Sequence, residues 1–183
     1  MATDMTEQKH AEQRISHIAH HDSLTGLANR LLFNDRLGQA ISIAKRHKRQ
    51  LALLYLELDK FKPVNDILGH DAGDQLLIQV ASRLREQVRA SDTVARIGGD
   101  EFTVILNDIP RREGVASVAR KIIGAIALPF QLGSAGHAVH IGTSIGIAVY
   151  PGDAHDHQSL IKLADAAMYS AKTGGAGLRF FET

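Results

Sequence analysis

An almost unbroken apolar run from Leu51 to Leu58 constrains the fold more than any other stretch of this chain. A run of this length, with polar segments on both sides, predicts a strand that is buried at the centre of a sheet. Glu57 and Asp59 stand at its carboxyl end. Carboxylates at the end of a buried strand are candidates for chemistry, so the surrounding elements decide what they can do.

Apolar residues recur at helical spacing in four further segments, and turn signals separate several shorter strands. The predicted helices cover 30–48, 71–90, 113–127 and 158–172, and the further strands cover 93–97, 102–106, 138–150 and 180–181. This order predicts an α+β fold in which a mostly antiparallel central sheet is flanked by helices. The polar, His-rich segment 1–21 is predicted to be a marginal linker helix that leads into one domain at 22–183.

Composition excludes several classes of protein. With 21 Lys and Arg against 20 Asp and Glu, the formal net charge is +1, so we expect no nucleic-acid partner. The absence of Cys excludes disulfides, thiolate metal sites and thiol catalysis. No run approaches the roughly 18 apolar residues that a membrane span needs. We therefore expect a cytoplasmic location and no membrane contact by this segment; the alternative is that the full-length protein is attached to a membrane through segments outside this sequence.

A tight hairpin is predicted at Gly98-Gly99-Asp100-Glu101, because paired glycines supply the positive φ that such a turn requires. If the central strand lies beside this hairpin, the acids of both meet at one edge. Clustered carboxylates repel one another unless a cation lies among them, and Mg²⁺ bound by one or two carboxylates plus substrate phosphates is a common solution. Glycines also let a bulky nucleotide approach the backbone. The alternative, which the tetrapeptide alone favours, is a solvated hairpin tip.

Six stretches follow one another in a defined order along the chain. They are Asp22–Arg30, Asp59–Asp66, Gly69–Asp74, Arg96–Phe102, Ser144–Gly146 and Ala164–Lys172. Together they resemble the GGDEF family, the diguanylate cyclases, and the resemblance extends from Asp22 to Phe181. It implies a palm-like fold with a ferredoxin-like βαββαβ core, related to nucleotide cyclases and polymerases. It also implies the condensation of two GTP molecules into cyclic di-GMP and two pyrophosphates, by two-metal phosphoryl transfer across a homodimer.

The resemblance implies roles for individual residues. The metal ligands would be Glu57, the backbone carbonyl of Leu58, and Asp100, for Mg²⁺ or alternatively Mn²⁺; the catalytic acids would be Asp100 and Glu101; and GTP would be bound by Asn65, Asp74, Lys172, Gly98, Gly99, Phe61 and Lys62. Asn65 and Asp74 would recognise guanine, because an amide and a carboxylate can pair with its donor and acceptor edges. Alternatively, Asn65 caps a turn, Asp74 lies in the first turn of a helix and Lys172 extends from a helix end.

A second site is implied by Arg89-Ala90-Ser91-Asp92, which looks like the family's RxxD inhibitory motif. Guanidinium contacts to guanine and phosphate would bind cyclic di-GMP there and give feedback inhibition. The alternative is an Arg at a helix end followed by an Asp turn.

Two positions depart from the family pattern. Glu57 replaces the usual Asp, and a longer carboxylate is expected to weaken or reorganise an octahedral Mg²⁺ site. Ala176 stands where the family usually has an Arg that binds phosphate. Both departures predict low turnover. They also favour an alternative function, in which a catalytically weak GGDEF domain binds GTP or cyclic di-GMP and regulates a neighbour.

The ends of the chain carry a further resemblance. Residues 4–14 resemble the linker that follows a PAS sensor domain, and the chain stops where an EAL phosphodiesterase domain often begins. We therefore expect a fragment of a larger PAS/GGDEF/EAL signalling protein. A purely structural dimerisation module is the third functional class that the sequence leaves open.

Overall fold

A computed structural model describes residues 2–175 and 177–182 of the chain. The helices are α1 (Ala2–His20), α2 (Arg30–His47), α3 (Phe61–Leu68), α4 (His70–Glu86), α5 (Arg112–Ala127) and α6 (His157–Thr173). The strands are β1 (Leu51–Asp59), β2 (Thr93–Gly98), β3 (Glu101–Leu106), β4 (Phe130–Leu132), β5 (His137–Val139), β6 (Gly142–Tyr150) and β7 (Leu178–Phe180). No helix among the described residues has both the length and the apolar character needed to cross a bilayer.

The central sheet has the strand order β2-β3-β1-β6-β7, with β1 in the middle. β1 pairs antiparallel with β3 and β6, β2 pairs antiparallel with β3, and the short β7 joins β6 in parallel. The succession β1-α4-β2-β3-α5-β6 is a βαββαβ core. The predicted α+β class, with a mostly antiparallel sheet flanked by helices, is therefore confirmed.

The side chains of β1 alternate between two buried layers, as expected of a strand covered on both faces. Leu54 and Leu56 belong to the core that includes α4 and α5, whereas Leu53 and Tyr55 belong to the core that includes α2 and α6. Glu57 and Asp59 continue the second row, because alternate residues share a face. The strand therefore places its acids on the face covered by α6.

Helix α6 lies directly on β6 at Gly146. A Cβ atom there would overlap the backbone of Ala164 and Met168 and would lie 2.7 Å from the carbonyl carbon of Ala167. Only a residue without a side chain permits such close packing of a helix on a strand. This contact fixes the height of α6 above the sheet and hence the place of Lys172, which lies in the last turn of the helix.

The structure corrects three boundaries predicted from the sequence. The expected single strand 138–150 is two strands: β5 pairs with β4 in a separate hairpin, and β6 begins at Gly142. Helix α4 ends at Glu86 rather than near residue 90, because a turn occupies the segment before β2. The final strand is Leu178–Phe180 rather than Phe180-Phe181.

Helix α3 was not predicted from the sequence. Its apolar residues Phe61, Val64 and Leu68 recur at helical spacing, but the helix has only eight residues, which is shorter than the window over which such a pattern identifies a helix. Pro63 also suggests a loop, although proline is tolerated here because it lies in the first helical turn.

Candidate functional site

The acids of β1 and of the glycine hairpin meet at one edge of the sheet. Glu57 is the direct cross-strand partner of Glu101. The backbone N–H of Leu58 donates to the carbonyl of Asp100 over 3.1 Å, which holds the turn against the end of β1. The structure thus brings together the four residues expected to form the metal and catalytic cluster.

Negative charge accumulates in this cluster. Burial raises the pKa of Asp100, and the neighbouring charges of Glu57 and Glu101 raise it further, although a hydrogen bond from its own backbone opposes the shift. Like charges directly opposite each other on two strands destabilise a sheet. A cation placed among these carboxylates would therefore be bound favourably and would stabilise the folded state.

Asp100→Asn is expected to raise the melting temperature of the ligand-free protein at pH 7. Because the folded-state pKa of Asp100 exceeds its usual value of 3.8, ionising this carboxyl costs stability above the folded pKa, and the cost disappears as the pH falls to 3.8. The gain should therefore shrink between pH 7 and pH 4, as measured by thermal denaturation. The matched control is Asp66→Asn on the exposed surface of α3. A loss of stability at pH 7, or a gain independent of pH, would contradict this electrostatic account.

Lys172 reaches the cluster from the end of α6. Its ammonium group forms an ion pair with Oε1 of Glu57, whose side chain is 19% exposed against 45% for that of the lysine. The hydrogen bond that Lys172 donates to Glu57 raises the pKa of Lys172, and the charges of Glu57, Asp59 and Asp100 add to this effect. Lys172 therefore remains charged at neutral pH and supplies one positive charge next to the acids.

The oxygen donors of this cluster suit a Mg²⁺ ion that binds together with a nucleotide. They are less suited to an ion that is bound by protein ligands alone. Within residues 2–175 and 177–182, no three Asp, Glu or His side chains are arranged to bind a metal. The predicted set has two carboxylates, from Glu57 and Asp100, and the carbonyl of Leu58. Mg²⁺ typically uses one or two carboxylates and completes its shell with water and substrate phosphates. The ammonium of Lys172 shows that the cluster accepts a cation.

The predicted guanine-binding residues lie at the junction of α3 and α4. The side chain of Asn65 rests against Gly73, where a Cβ atom would overlap its amide oxygen and lie 3.1 Å from its Cγ. Phe61 borders the same position at 3.5 Å, and Nδ2 of Asn65 is 3.2 Å from Nδ1 of His70. Asp74 follows Gly73 and is exposed. The fold therefore brings Asn65 next to the turn of α4 that carries Asp74.

The remaining predicted GTP contacts border open space. No atom lies within 4 Å of the position that a Cβ would occupy on Gly98 or Gly99, and Gly99 has φ +49°. The positive φ predicted for the hairpin is therefore present at Gly99. Lys62 is exposed on α3, whereas Phe61 is partly buried and packs against the core that includes α4 and α5.

A polar network that was not predicted from the sequence connects the segment after α1 to the hairpin. Asp22 accepts hydrogen bonds from the backbone N–H (2.9 Å) and hydroxyl (2.7 Å) of Thr25 and pairs with Arg96 at 3.1 Å. Arg96 in turn donates to the carbonyl of Gly99 over 3.0 Å. Burial raises the pKa of Asp22, but Thr25 and Arg96 outweigh it and lower the pKa below its usual value. In the sequence, Asp22 and Arg96 were marked only by their presence in two of the stretches that resemble the family.

The predicted inhibitory residues lie together, with unequal exposure. The side chain of Asp92 is 2% exposed and accepts hydrogen bonds from the backbone N–H groups of Arg89 (3.0 Å) and Asn107 (3.1 Å). The side chain of Arg89 is 60% exposed and borders a cavity of about 480 Å³ that Arg36 and Arg85 also line. Asp92 therefore organises the turn before β2, and the guanidinium group of Arg89 donates to the carbonyl of Asn107 (2.5 Å) and to Asp92 (3.4 Å).

The fold is that of a mixed α+β domain with a βαββαβ core, whose mostly antiparallel sheet is flanked by helices. The family model described as "Diguanylate cyclase, GGDEF domain" matches residues 19–177. The chain therefore belongs to the GGDEF family, and the resemblance found in the sequence is confirmed.

Known relatives agree with this assignment. The chain is 48% identical over 179 residues to the bifunctional diguanylate cyclase/cyclic di-GMP phosphodiesterase MucR of Pseudomonas aeruginosa, covering 97% of the chain and 26% of MucR. The structure of the isolated GGDEF domain of TpbB (YfiN) from the same organism matches with a TM-score of 0.86 and 45% identity, covering 89% of the chain and 95% of that domain.

A structure solved with ligand also matches. The coiled coil and GGDEF domain of DgcB from Caulobacter crescentus, in complex with cyclic di-GMP, aligns with a TM-score of 0.89 and 29% identity, over 98% of the chain and 94% of that structure. By contrast, the chain spans only 26% of MucR and 38% of full-length TpbB. The relatives are thus larger proteins, of which this chain corresponds to one part.

Proposed function

We propose that this domain is a diguanylate cyclase that condenses two GTP molecules into cyclic di-GMP and two pyrophosphates. The observation that carries the proposal is the convergence of Glu57, Asp100 and Glu101 at one strand end, with Lys172 reaching them from α6. An acidic cluster beside a lysine suits phosphoryl transfer, in which positioning and electrostatic stabilisation supply most of the catalysis. The diguanylate cyclase names of MucR and TpbB support the same reaction.

Each residue of the cluster has a distinct task in this proposal. Glu57, Asp100 and the carbonyl of Leu58 would hold Mg²⁺, or Mn²⁺ in its place. A bound ion of this kind lowers the pKa of the ribose 3′-hydroxyl and offsets the charge of the triphosphate. Glu101 lies beside this set and acts on the attacking hydroxyl. Lys172 exchanges its partner from Glu57 to the incoming triphosphate, so that its charge is balanced before and after GTP binds.

Nucleotide selection is assigned to the α3–α4 junction. The amide of Asn65 and the carboxylate of Asp74 pair with guanine, which offers a donor edge that adenine lacks. Phe61 and Lys62 border the base and the ribose phosphate, and Gly98-Gly99 lets the nucleotide approach the hairpin backbone.

The reaction requires two copies of the domain. Each protomer of a homodimer binds one GTP, and holding the two nucleotides face to face replaces a dilute encounter with a fixed one. We assign residues 1–21 as the linker helix that pairs the protomers and 22–183 as the GGDEF domain. Cyclic di-GMP would limit its own formation by binding at Arg89 and Asp92.

A catalytically weak domain that binds GTP or cyclic di-GMP and regulates a neighbour is the second candidate. Glu57 favours it, because its carboxylate is one methylene longer than the usual Asp and is ion-paired with Lys172. The other departure from the family pattern, Ala176, lies outside the described residues.

Incubation of the protein with GTP and Mg²⁺ separates these candidates. A cyclase forms cyclic di-GMP and pyrophosphate, and both products disappear in Asp100→Ala. A weak regulatory domain binds either nucleotide without turnover. A structural module shows no change of melting temperature with GTP or cyclic di-GMP. If Glu57→Asp raises turnover, the longer carboxylate limits the wild-type rate.

Gly73→Ala is expected to weaken GTP binding without destabilising the protein. Alanine is favoured over glycine inside a helix by about 1 kcal/mol, but its Cβ would displace the amide of Asn65. Losing one hydrogen bond to guanine corresponds to roughly 3- to 10-fold weaker affinity. Calorimetric titration with a non-hydrolysable GTP analogue measures the effect. Gly124→Ala in α5 is the control, since a Cβ there meets nothing within 4 Å. Equal affinities in the two variants would argue against Asn65 as a guanine ligand.

A further inference from the structure

Tyr55 connects the buried part of β1 to the signature acid Glu101. Its hydroxyl donates a hydrogen bond of 3.0 Å to Oε2 of Glu101. The direct cross-strand partner of Tyr55 is Thr103, so Glu101, two residues before Thr103 in β3, is a diagonal neighbour. Residues two apart on a strand share a face, and an aromatic side chain is long enough to bridge this diagonal.

The phenol is a fixed donor. Tyr55 is only 7% exposed and belongs to the core cluster that lies between the sheet and helices α2 and α6. Burial raises the pKa of its hydroxyl well above the usual value, and the hydrogen bond to Glu101 and the nearby charge of Asp165 raise it further, against a smaller opposing effect of Arg30. A carboxylate oxygen can only accept a hydrogen bond, so at this distance the phenol is the donor.

Glu101 needs such a donor because its surroundings repel it. It lies directly across from Glu57 and close to Asp100. Lys172 forms its ion pair with Glu57, whereas Glu101 accepts its hydrogen bond from Tyr55. Without the phenol, repulsion between opposed carboxylates would turn the Glu101 side chain away from the cluster.

We propose that Tyr55 is a positioning residue that holds the Glu101 carboxylate in one orientation for the cyclase reaction. The inference deepens the proposed function and rests on it. Because the hydroxyl engages Oε2, the other oxygen, Oε1, is left for the ribose hydroxyl or the metal. Tyr55 touches neither substrate nor metal in this scheme and acts only through Glu101.

The test compares Tyr55→Phe with a matched control, Tyr150→Phe. Both tyrosines are buried in the same core cluster, but Tyr150 pairs with Leu51 at the end of β1 remote from the acids. We expect kcat for cyclic di-GMP formation to fall about 10- to 100-fold in Tyr55→Phe, as is typical when a catalytic group is misplaced by about 1 Å. KM for GTP should change less than about 3-fold, since substrate contacts are intact. Tyr150→Phe should retain wild-type kcat.

A second measurement is independent of turnover. Tyr55→Phe should lower the melting temperature of the wild type but not that of Glu101→Ala, because the hydrogen bond is already absent there. A kcat within twofold of wild type in Tyr55→Phe, or equal losses of melting temperature in both backgrounds, would overturn the inference. Failure of the proposed function looks different, since the wild-type protein itself then forms no cyclic di-GMP.

Discussion

Lys172→Met is expected to lower kcat/KM for cyclic di-GMP formation by roughly 100-fold, the largest effect on activity that a single change outside the acids should have here. The ammonium of Lys172 provides positive charge next to Glu57, Asp59 and Asp100. Without it, an incoming triphosphate meets an acidic cluster with no counter-charge at the end of α6, so repulsion opposes binding and the transition state. Initial rates at varied GTP concentration measure the loss.

Stability should change little in the same variant, because the side chain of Lys172 is 45% exposed and ion pairs of exposed groups contribute little. Lys162→Met is the control, since Lys162 is an exposed lysine in the first half of the same helix. Lys172→Arg is expected to restore charge but not full activity, because a planar guanidinium and a compact ammonium differ in geometry. Wild-type kcat/KM in Lys172→Met would exclude this lysine from the site.

Gly146→Ala is expected to be the most destabilising conservative change in the sheet. Its Cβ would overlap the backbone of Ala164 and Met168, and backbone atoms cannot move aside as the end of a flexible side chain can. Overpacking against backbone should cost about 3 kcal/mol or more, which for a domain of this size corresponds to roughly 6 to 12 °C in Tm. Thermal and chemical denaturation test the prediction.

The control for this substitution is Gly152→Ala, because a Cβ at this turn position meets no atom within 4 Å. Activity should fall together with stability in Gly146→Ala, since α6 carries Lys172 and would be lifted from the sheet. If the variant melts like the wild type, α6 does not depend on this close contact for its place.

Elements with strong local patterns were predictable from the sequence. The apolar run of β1 and the paired glycines before β3 are such patterns. Together they predicted that Glu57 lies near Asp100 and Glu101 at one edge of the sheet. Helices α2, α5 and α6 were recognisable because each buries an apolar stripe.

The missed features lack such local signatures. Helix α3 has only eight residues and contains Pro63, and β4 and β5 have three residues each, so all three elements are too short for their periodicity to identify them. The Asp22–Arg96 pair joins residues 74 positions apart, and contacts between charged side chains at that separation leave no trace in periodicity. The same applies to Tyr55. Its sequence context is that of the other residues of a buried strand, and its contact with Glu101 becomes evident only from the register of β1 with β3.

The opposition of Glu57 and Glu101 has a consequence for how such domains change over evolutionary time. Two like charges facing each other across a sheet oppose folding, so neutral replacements there are tolerated by the fold and favoured by stability. Only selection for turnover retains them. A lineage that no longer needs the proposed reaction can therefore lose these acids one at a time while the βαββαβ scaffold persists.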